Sequence, residues 1–319
     1  MKIKKLVGAC LRKNKQLWWA VSYLRMRKRH LEREVRRGIT YYIIRYEDPQ
    51  SCGWTVWERV VFYSCMYATD HGMIPVVDMQ NYKNIYLDEN ELGRINAWEK
   101  FYLQPGGVTL KDALDSKDYI IADPSQEWFC YLRERHPQKY ANNEFLRKEF
   151  NKYIRIKPSV EYQLKSRLID MLPNHLETSR MLAICIRGTD YKLFHHMVQP
   201  KIAEVIELAK KIYIEYKCDY YFIATEDAEI FGKIQSLLPS ERIVTYNAGN
   251  INQSSGLIGL EIRKKSSATA AAMDYLTTLY CINRSVCLLG GLCGATIVAK
   301  YRREKPYEYI NIIDTHRSY

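Results

Sequence analysis

The chain of 319 residues is long for one domain and comfortable for two, and 47% of it is hydrophobic, enough for a large core and contrary to disorder or a collagen-like repeat. Its formal charge of +12 is unevenly placed: residues 1–37 hold thirteen Lys/Arg against two Glu, and the remainder holds 35 basic against 34 acidic residues. The body is therefore nearly neutral, and the overall basicity says little about its site.

Nine cysteines, an odd number without C-x-x-C spacing, sit partly in apolar runs. They read as reduced, buried thiols of a reducing compartment, with no zinc site and no metal ligands. No uncharged apolar run reaches the ~18 residues of a spanning helix. The first residues do not read as a secretory signal or a Golgi anchor, because Arg12, Lys13 and Lys15 break the apolar stretches. There are 26 Tyr and 6 Trp, residues whose ring faces stack on sugar C–H groups, although most are expected simply to pack.

In chain order, residues 1–38 are predicted as a basic amphipathic helical arm ending at Gly38. Apolar residues at 3, 7, 10, 17, 21, 24, 31 and 35 form a heptad stripe, with Trp18 and Trp19 near its middle. Such a helix suits an anionic membrane surface, a homodimer through a coiled coil, or packing on its own body. The first is the reading adopted here; nothing in the body supports nucleic-acid binding.

Residues 39–165 are expected to form an N-terminal α/β domain on the acceptor side. Its first strand is 40–46, a helix covers 55–70 and a second strand covers 74–78, which gives parallel strands. Gly53, between strand and helix, is either a plain turn glycine or a point where the backbone approaches a ligand. Asp78 closes a strand. Asn96 to Phe101 form a polar–aromatic cluster that packs between domains or lends Trp98 and Glu99 to a sugar site. Residues 106–165 carry few signals.

Residues 166–319 are expected to form the donor-side domain. Met181 to Ile186 is a continuous apolar run, as in a parallel strand buried on both faces. A helix is predicted from Val198 to Tyr216, a strand over 220–224, a helix over 228–238 and a strand over 242–246. A polar loop covers 247–266, a helix 267–282 and a strand 286–289, and the glycine-rich stretch 290–294 leads into a last helix. Ligands of such doubly wound sheets bind at the strands' carboxyl ends. Arg187 to Asp190, Thr225 to Asp227 and the 290–294 glycines converge there. Arg187 follows a buried strand, so its fork can grip a phosphate. Gly290, Gly291 and Gly294 can offer N–H groups to a pyrophosphate. Glu226 and Asp227 either meet sugar hydroxyls or cap the helix.

Arg187-Gly188-Thr189-Asp190-Tyr191 resembles the first motif of the α-1,6/α-1,2/protein-O-fucosyltransferase superfamily, an H-x-R-R-T-D-like stretch after a strand. Ala224-Thr225-Glu226-Asp227 looks like its second motif. Asp274 with the 286–294 strand and loop, which includes Cys293, looks like its third. His71 to Asp78 and Gln199-Pro200 are similar to segments of bacterial members. The resemblance implies a GT-B-like architecture, two Rossmann-like doubly wound domains facing a cleft. It implies a metal-independent inverting transferase without cofactor whose substrate is a nucleotide-sugar, typically GDP-fucose. Arg187 would hold the β-phosphate. Gly188, Thr189, Thr225, Glu226, Asp227, Asp274, Gly290, Gly291, Cys293, Gly294 and Gly53 would complete the donor site. The motif's second arginine is Gly188 here and its histidine is Cys185. The base is left among Asp190, His195, His196 and Glu99. The expected acceptor is a cell-surface glycan or lipid-linked glycan precursor, in bacterial polysaccharide biosynthesis. The expected location is the cytoplasmic face of the cell membrane, reached through residues 1–37. A transferase using another nucleotide-sugar, and a non-catalytic sugar- or nucleotide-binding module, are the alternatives.

Overall fold

The computed structural model describes residues 40–46, 53–122, 137–188, 191, 197–246, 267–303 and 305–316. The arm of residues 1–38, Thr189, Asp190, His195 and His196 lie outside the described residues, as do Cys10, Cys52 and Cys130.

The first half builds a three-stranded parallel sheet from β1 (Tyr41–Ile44), β2 (Ile74–Val77) and β3 (Tyr119–Ala122), in the order β2-β1-β3. Between β1 and β2 runs α1 (Trp54–Asp70), 17 residues with no internal Gly or Pro. Four residues, Val56, Arg59, Thr69 and Asp70, stay outside its buried set. Such all-round burial requires cover on both sides. The sheet covers one side, and helices from later in the chain cover the other. Gly72, at φ +71°, turns the chain from α1 into β2. Two short helices follow, α2 (Ala97–Phe101) and α3 (Leu110–Asp115), each capped at its N-terminus by a side chain, Asn96 and Thr109.

Three helices, α4 (Pro137–Ala141), α5 (Asn143–Tyr153) and α6 (Pro158–Met171), lead to the second sheet. Residues 106–165, read as poor in signals, thus hold β3 and helical structure. The position between residues 165 and 166 falls inside α6, which packs on a helix near the end of the chain.

The second sheet is five-stranded and parallel: β4 (Met181–Cys185), β5 (Tyr220–Ala224), β6 (Ile243–Val244), β7 (Cys287–Gly291) and β8 (Tyr309–Ile313), in the order β6-β5-β4-β7-β8. Renumbered from β4, that order is 3-2-1-4-5, a doubly wound arrangement that reverses between β4 and β7. Among the described residues its helices are α7 (Ile202–Glu215), α8 (Ala228–Gln235), α9 (Ala268–Arg284) and α10 (Gly294–Arg302). Several expectations are corrected. Helix α7 starts at Ile202, since Pro200 cannot continue a helix backwards and Lys201 is its N-cap. The strand expected over 242–246 is two residues long, preceded by a 3-10 turn at Ser240–Arg242. Strand β7 runs through Gly290 and Gly291, and β8 was not foreseen.

Alternate residues of β4 face two cores. Leu182, Ile184 and Ile186 pack with Val205, Ile206 and Ala209 of α7. Met181, Ala183 and Cys185 belong to a cluster that continues into Tyr42, Ile44 and Val77 of the first sheet. Helix α10 packs against α1 and α5, tying the end of the chain to its beginning. At that seam Arg302 of α10 meets the fully buried Glu58 of α1, and the Tyr102 hydroxyl donates to Glu58 Oε1 at 2.5 Å.

Candidate functional site at the carboxyl edge of the second sheet

The chain leaves β4 through Ile186, still buried and hydrogen-bonded to Ala224 O, and Arg187 is the first residue free of the ladder. Its backbone N–H donates to Gln199 Oε1 at 3.2 Å. The Gln199 amide NH2 reaches Met197 O at 3.3 Å and Leu292 O at 3.4 Å. Gln199, buried, thus brackets the ends of β4 and β7, on either side of the strand-order reversal. The next N–H, of Gly188, donates to Glu226 Oε1 at 2.9 Å, and Glu226 Oε2 lies 3.3 Å from Arg187 Nη1. The guanidinium also lies over the Tyr191 ring, 5.5 Å from its centroid. These contacts set the direction of a side chain that remains 24% exposed.

The glycines around it are places of close protein contact. A Cβ on Gly188 would come within 2.4 Å of the Asp227 Cβ. A Cβ on Gly290 would fall 2.1 Å from Cys185 O, and one on Gly291 2.1 Å from Gln199 Oε1. At Gly294 the intruder is Thr55 Oγ1, 2.5 Å away. Each glycine is therefore needed by its protein neighbour, whatever else its N–H does. Gly53 is less tight: its nearest atom is Tyr275 Cε1, at 3.3 Å.

Two helix N-termini meet in this region. Gly53 is the N-cap of α1 and Cys293 the N-cap of α10, and Gly294 touches Thr55. Tyr275 of α9 lies between them, hydrogen-bonded to Thr55 and within the field of Arg187. Burial pushes its phenol up to about 12, against the pull of Arg187 and Thr55. Helix N-termini carry partial positive charge and free N–H groups. With Arg187 beside them, the arrangement suits a diphosphate.

Cys293 is buried with its sulfur 3.8 Å from that of Cys185. Its hydrogen bond with Cys185 pulls the Cys293 thiol down against burial, with help from Thr296 and Arg187. Cys185 is pushed up by the same bond and by burial.

The remaining candidates take other places. Asp227 accepts from Glu229 N at 2.9 Å and Ile230 N at 3.1 Å and so caps α8, the structural alternative weighed for it. Thr225 Oγ1 accepts from Asp227 N at 3.2 Å. Asp274 Oδ1 accepts from Arg167 Nη1 and from the Tyr246 hydroxyl, both at 3.0 Å, beyond the end of β6. Glu99 belongs to the first half: Gln104 donates to it at 2.7 Å and Asn96 at 3.3 Å, and both amides also hold Val77 O. Among the described residues no group of three or more His, Cys, Asp or Glu is arranged to hold a metal ion, and no helix is long and apolar enough to cross a membrane. Sequence reasoning passed over Thr55, Tyr275 and the role of Gln199. Only Gln199 carried a signal, as the polar residue before the Pro200 helix start.

No family model matches the chain, and no curated protein matches it. Solved structures do. The selenomethionine fucosyltransferase NodZ from Bradyrhizobium superimposes with a TM-score of 0.52 at 12% identity, covering 88% of this chain and 96% of that one. The NodZ alpha-1,6-fucosyltransferase co-crystallized with GDP gives a TM-score of 0.50 at 12% identity, over 83% and 93%. At such identity the likeness is one of fold: mixed α/β with parallel sheets, arranged similarly to NodZ.

Proposed function

We propose that the chain is a glycosyltransferase that binds the diphosphate of a nucleotide-sugar at Arg187, with GDP-fucose as the donor. One observation carries this reading. Arg187 leaves β4 at the point where strand order reverses, beside the N-termini of α1 and α10. The two halves would act as a GT-B-like pair, with the donor on the second sheet and the acceptor on the first. The acceptor hydroxyl would attack the anomeric carbon as its bond to the β-phosphate oxygen breaks, inverting the configuration. The departing diphosphate gains charge, so donors fixed on it favour the transition state over the ground state. No metal is invoked, because Arg187 and the helix ends supply the positive field. The acceptor's proton passes to a base drawn from Asp190, His195, His196 or Glu99. The sugar identity rests on the motif resemblance and on the fold shared with NodZ. A glycan or lipid-linked acceptor at the inner membrane face, reached through the arm of residues 1–37, completes the proposal.

The test is a comparison of GDP, UDP, GDP-fucose, GDP-mannose and UDP-sugars by thermal shift and by nucleotide release. The expected result is stabilisation by GDP over UDP and release of GDP from GDP-fucose. Arg187→Ala should lower that turnover by about 100-fold or more. Full turnover in Arg187→Ala would overturn the assignment. Stabilisation by UDP alone would favour another nucleotide-sugar, and binding without hydrolysis or transfer a non-catalytic module.

A further inference from the structure

Directly beneath Arg187 lies a pair of thiols that the proposed transfer reaction does not use. Cys185 ends β4 and Cys293 caps α10, and their sulfurs stand 3.8 Å apart. They meet because β4 and β7 are adjacent, with Cys185 opposite Gly290. A side chain at residue 290 would collide with the Cys185 carbonyl. Around Cys293 are the groups that favour a thiolate: the Cys185 S–H, the Thr296 hydroxyl at 3.5 Å, the start of a helix and the Arg187 guanidinium. Cys185, the weaker acid of the two, keeps its proton and is placed to resolve an oxidised partner.

We propose that Cys185 and Cys293 form a reversible disulfide under peroxide, and that its closure disables the phosphate site at Arg187. The Cys293 thiolate attacks one oxygen of hydrogen peroxide and, with one proton taken up, becomes a sulfenic acid as the first water leaves. The Cys185 sulfur then attacks the sulfenic sulfur. Its proton departs with the hydroxyl as a second water, and the S–S bond forms. The two thiols supply the two electrons that reduce the peroxide.

Closure couples to Arg187 through geometry. A disulfide needs its sulfurs at ~2.05 Å, so the pair must approach by about 1.8 Å. Cys185 is two residues before Arg187, whose backbone is pinned to Gln199 at 3.2 Å while Gly188 is pinned to Glu226 at 2.9 Å. Drawing the end of β4 towards α10 pulls both anchors. Misplacement of a positioning group by about 1 Å is enough to cost about 100-fold in function.

The first half of this inference stands on the thiols alone; the second rests on the proposed nucleotide reading. The full chain carrying Cys218→Ala, which removes a second adjacent cysteine pair with Cys287, is titrated with hydrogen peroxide, alkylated and mapped by mass spectrometry. In parallel its GDP affinity is measured reduced, oxidised and re-reduced with dithiothreitol. The expected result is a Cys185–Cys293 linked peptide, a loss of GDP affinity of about tenfold or more, and recovery on reduction. Adding Cys185→Ser should leave GDP affinity with and without peroxide within about twofold. If that variant does not fold, Cys185→Ala serves the same purpose. Absence of the linked peptide overturns the proposal, as does a complete disulfide with unchanged GDP affinity. A reduced protein that binds no GDP overturns the nucleotide reading, while the peptide map still decides whether the disulfide forms.

Discussion

The ends of the two sheets answer one problem in different ways. At the first sheet, Arg45 follows β1 and Asp78 follows β2; at the second, Arg187 follows β4 and Glu226 follows β5. Both are cation–carboxylate pairs across neighbouring parallel strands. The Arg45–Asp78 pair is closed: Asp78 Oδ2 receives Arg45 Nη2 at 2.6 Å and Nε at 2.8 Å. Asp78 also accepts from the backbones of Gln80 and Asn81 and from the Asn81 amide, and it is wholly buried. The Arg187–Glu226 contact is longer, 3.3 Å from Nη1 to Oε2, and both partners keep some exposure, 24% and 11%. A carboxylate surrounded by donors is part of the frame. A guanidinium that keeps a quarter of its surface exposed at a strand end is within reach of a ligand's oxygens.

The comparison breaks most readily at the carboxylates. Asp78→Asn leaves Arg45 without its counter-charge and turns an acceptor-only group into one that must place two donors. We expect a loss of ~3–5 kcal/mol in unfolding free energy by urea titration. Glu226→Gln keeps the acceptor for Gly188 N–H and sits closer to solvent, so its cost should stay within ~1 kcal/mol. Equal losses in the two variants would remove the distinction between frame and site.

Gly188 sharpens it further. Its missing side chain admits Asp227, and an added methyl would clash with that residue's carboxylate and also with its Cβ, which cannot swing aside. Because Asp227 caps α8, Gly188→Ala should push the cap away from Glu229 and Ile230. A destabilisation of ~1–3 kcal/mol is expected, combining overpacking with a weakened cap. Gly72→Ala, in a position with nothing within 4 Å but φ +71°, is strained through its backbone alone. If the two cost the same, packing against Asp227 contributes nothing at residue 188.

Much of the second sheet was legible because burial on both faces leaves an unbroken apolar run. Met181 to Cys185 and Tyr220 to Ala224 read as strands and are buried throughout. The edge strand Tyr309–Ile313 hid because its pattern is only half-buried and contains Asn311. In the first half, Tyr119–Ala122 is short, and the helices after it have polar faces that dilute the periodic signal. Within the candidate site, Arg187 was readable from its place after a strand. The Cys185–Cys293 contact was not, since it joins residues 108 apart. Nor was the role of Gly188, Gly290, Gly291 and Gly294: a sequence shows that a glycine is present but not which neighbour needs the space.

Tyr275 lies where the two regions touch, and its phenol gives the smallest and most specific prediction. Burial raises its pKa to about 12, despite the pull of Arg187 and the Thr55 hydrogen bond. An ordinary tyrosine in the unfolded chain titrates near ~10. The folded state therefore holds this proton more tightly. The associated stability is present in full below pH ~10 and is lost as pH rises towards about 12. The residue is only half-buried, so screening by water reduces the effect to ~1–2 kcal/mol. Other tyrosines, Tyr102 and Tyr307 among them, are raised by burial too, and the whole protein should weaken over this range. The difference between wild type and Tyr275→Phe isolates one phenol. Urea titrations at about pH 9 and pH 12 should show the wild type losing ~1–2 kcal/mol more than the variant between the two conditions. Parallel losses would mean that the Tyr275 hydroxyl ionises as freely in the folded protein as in the unfolded chain, and that the seam beside Arg187 is wet.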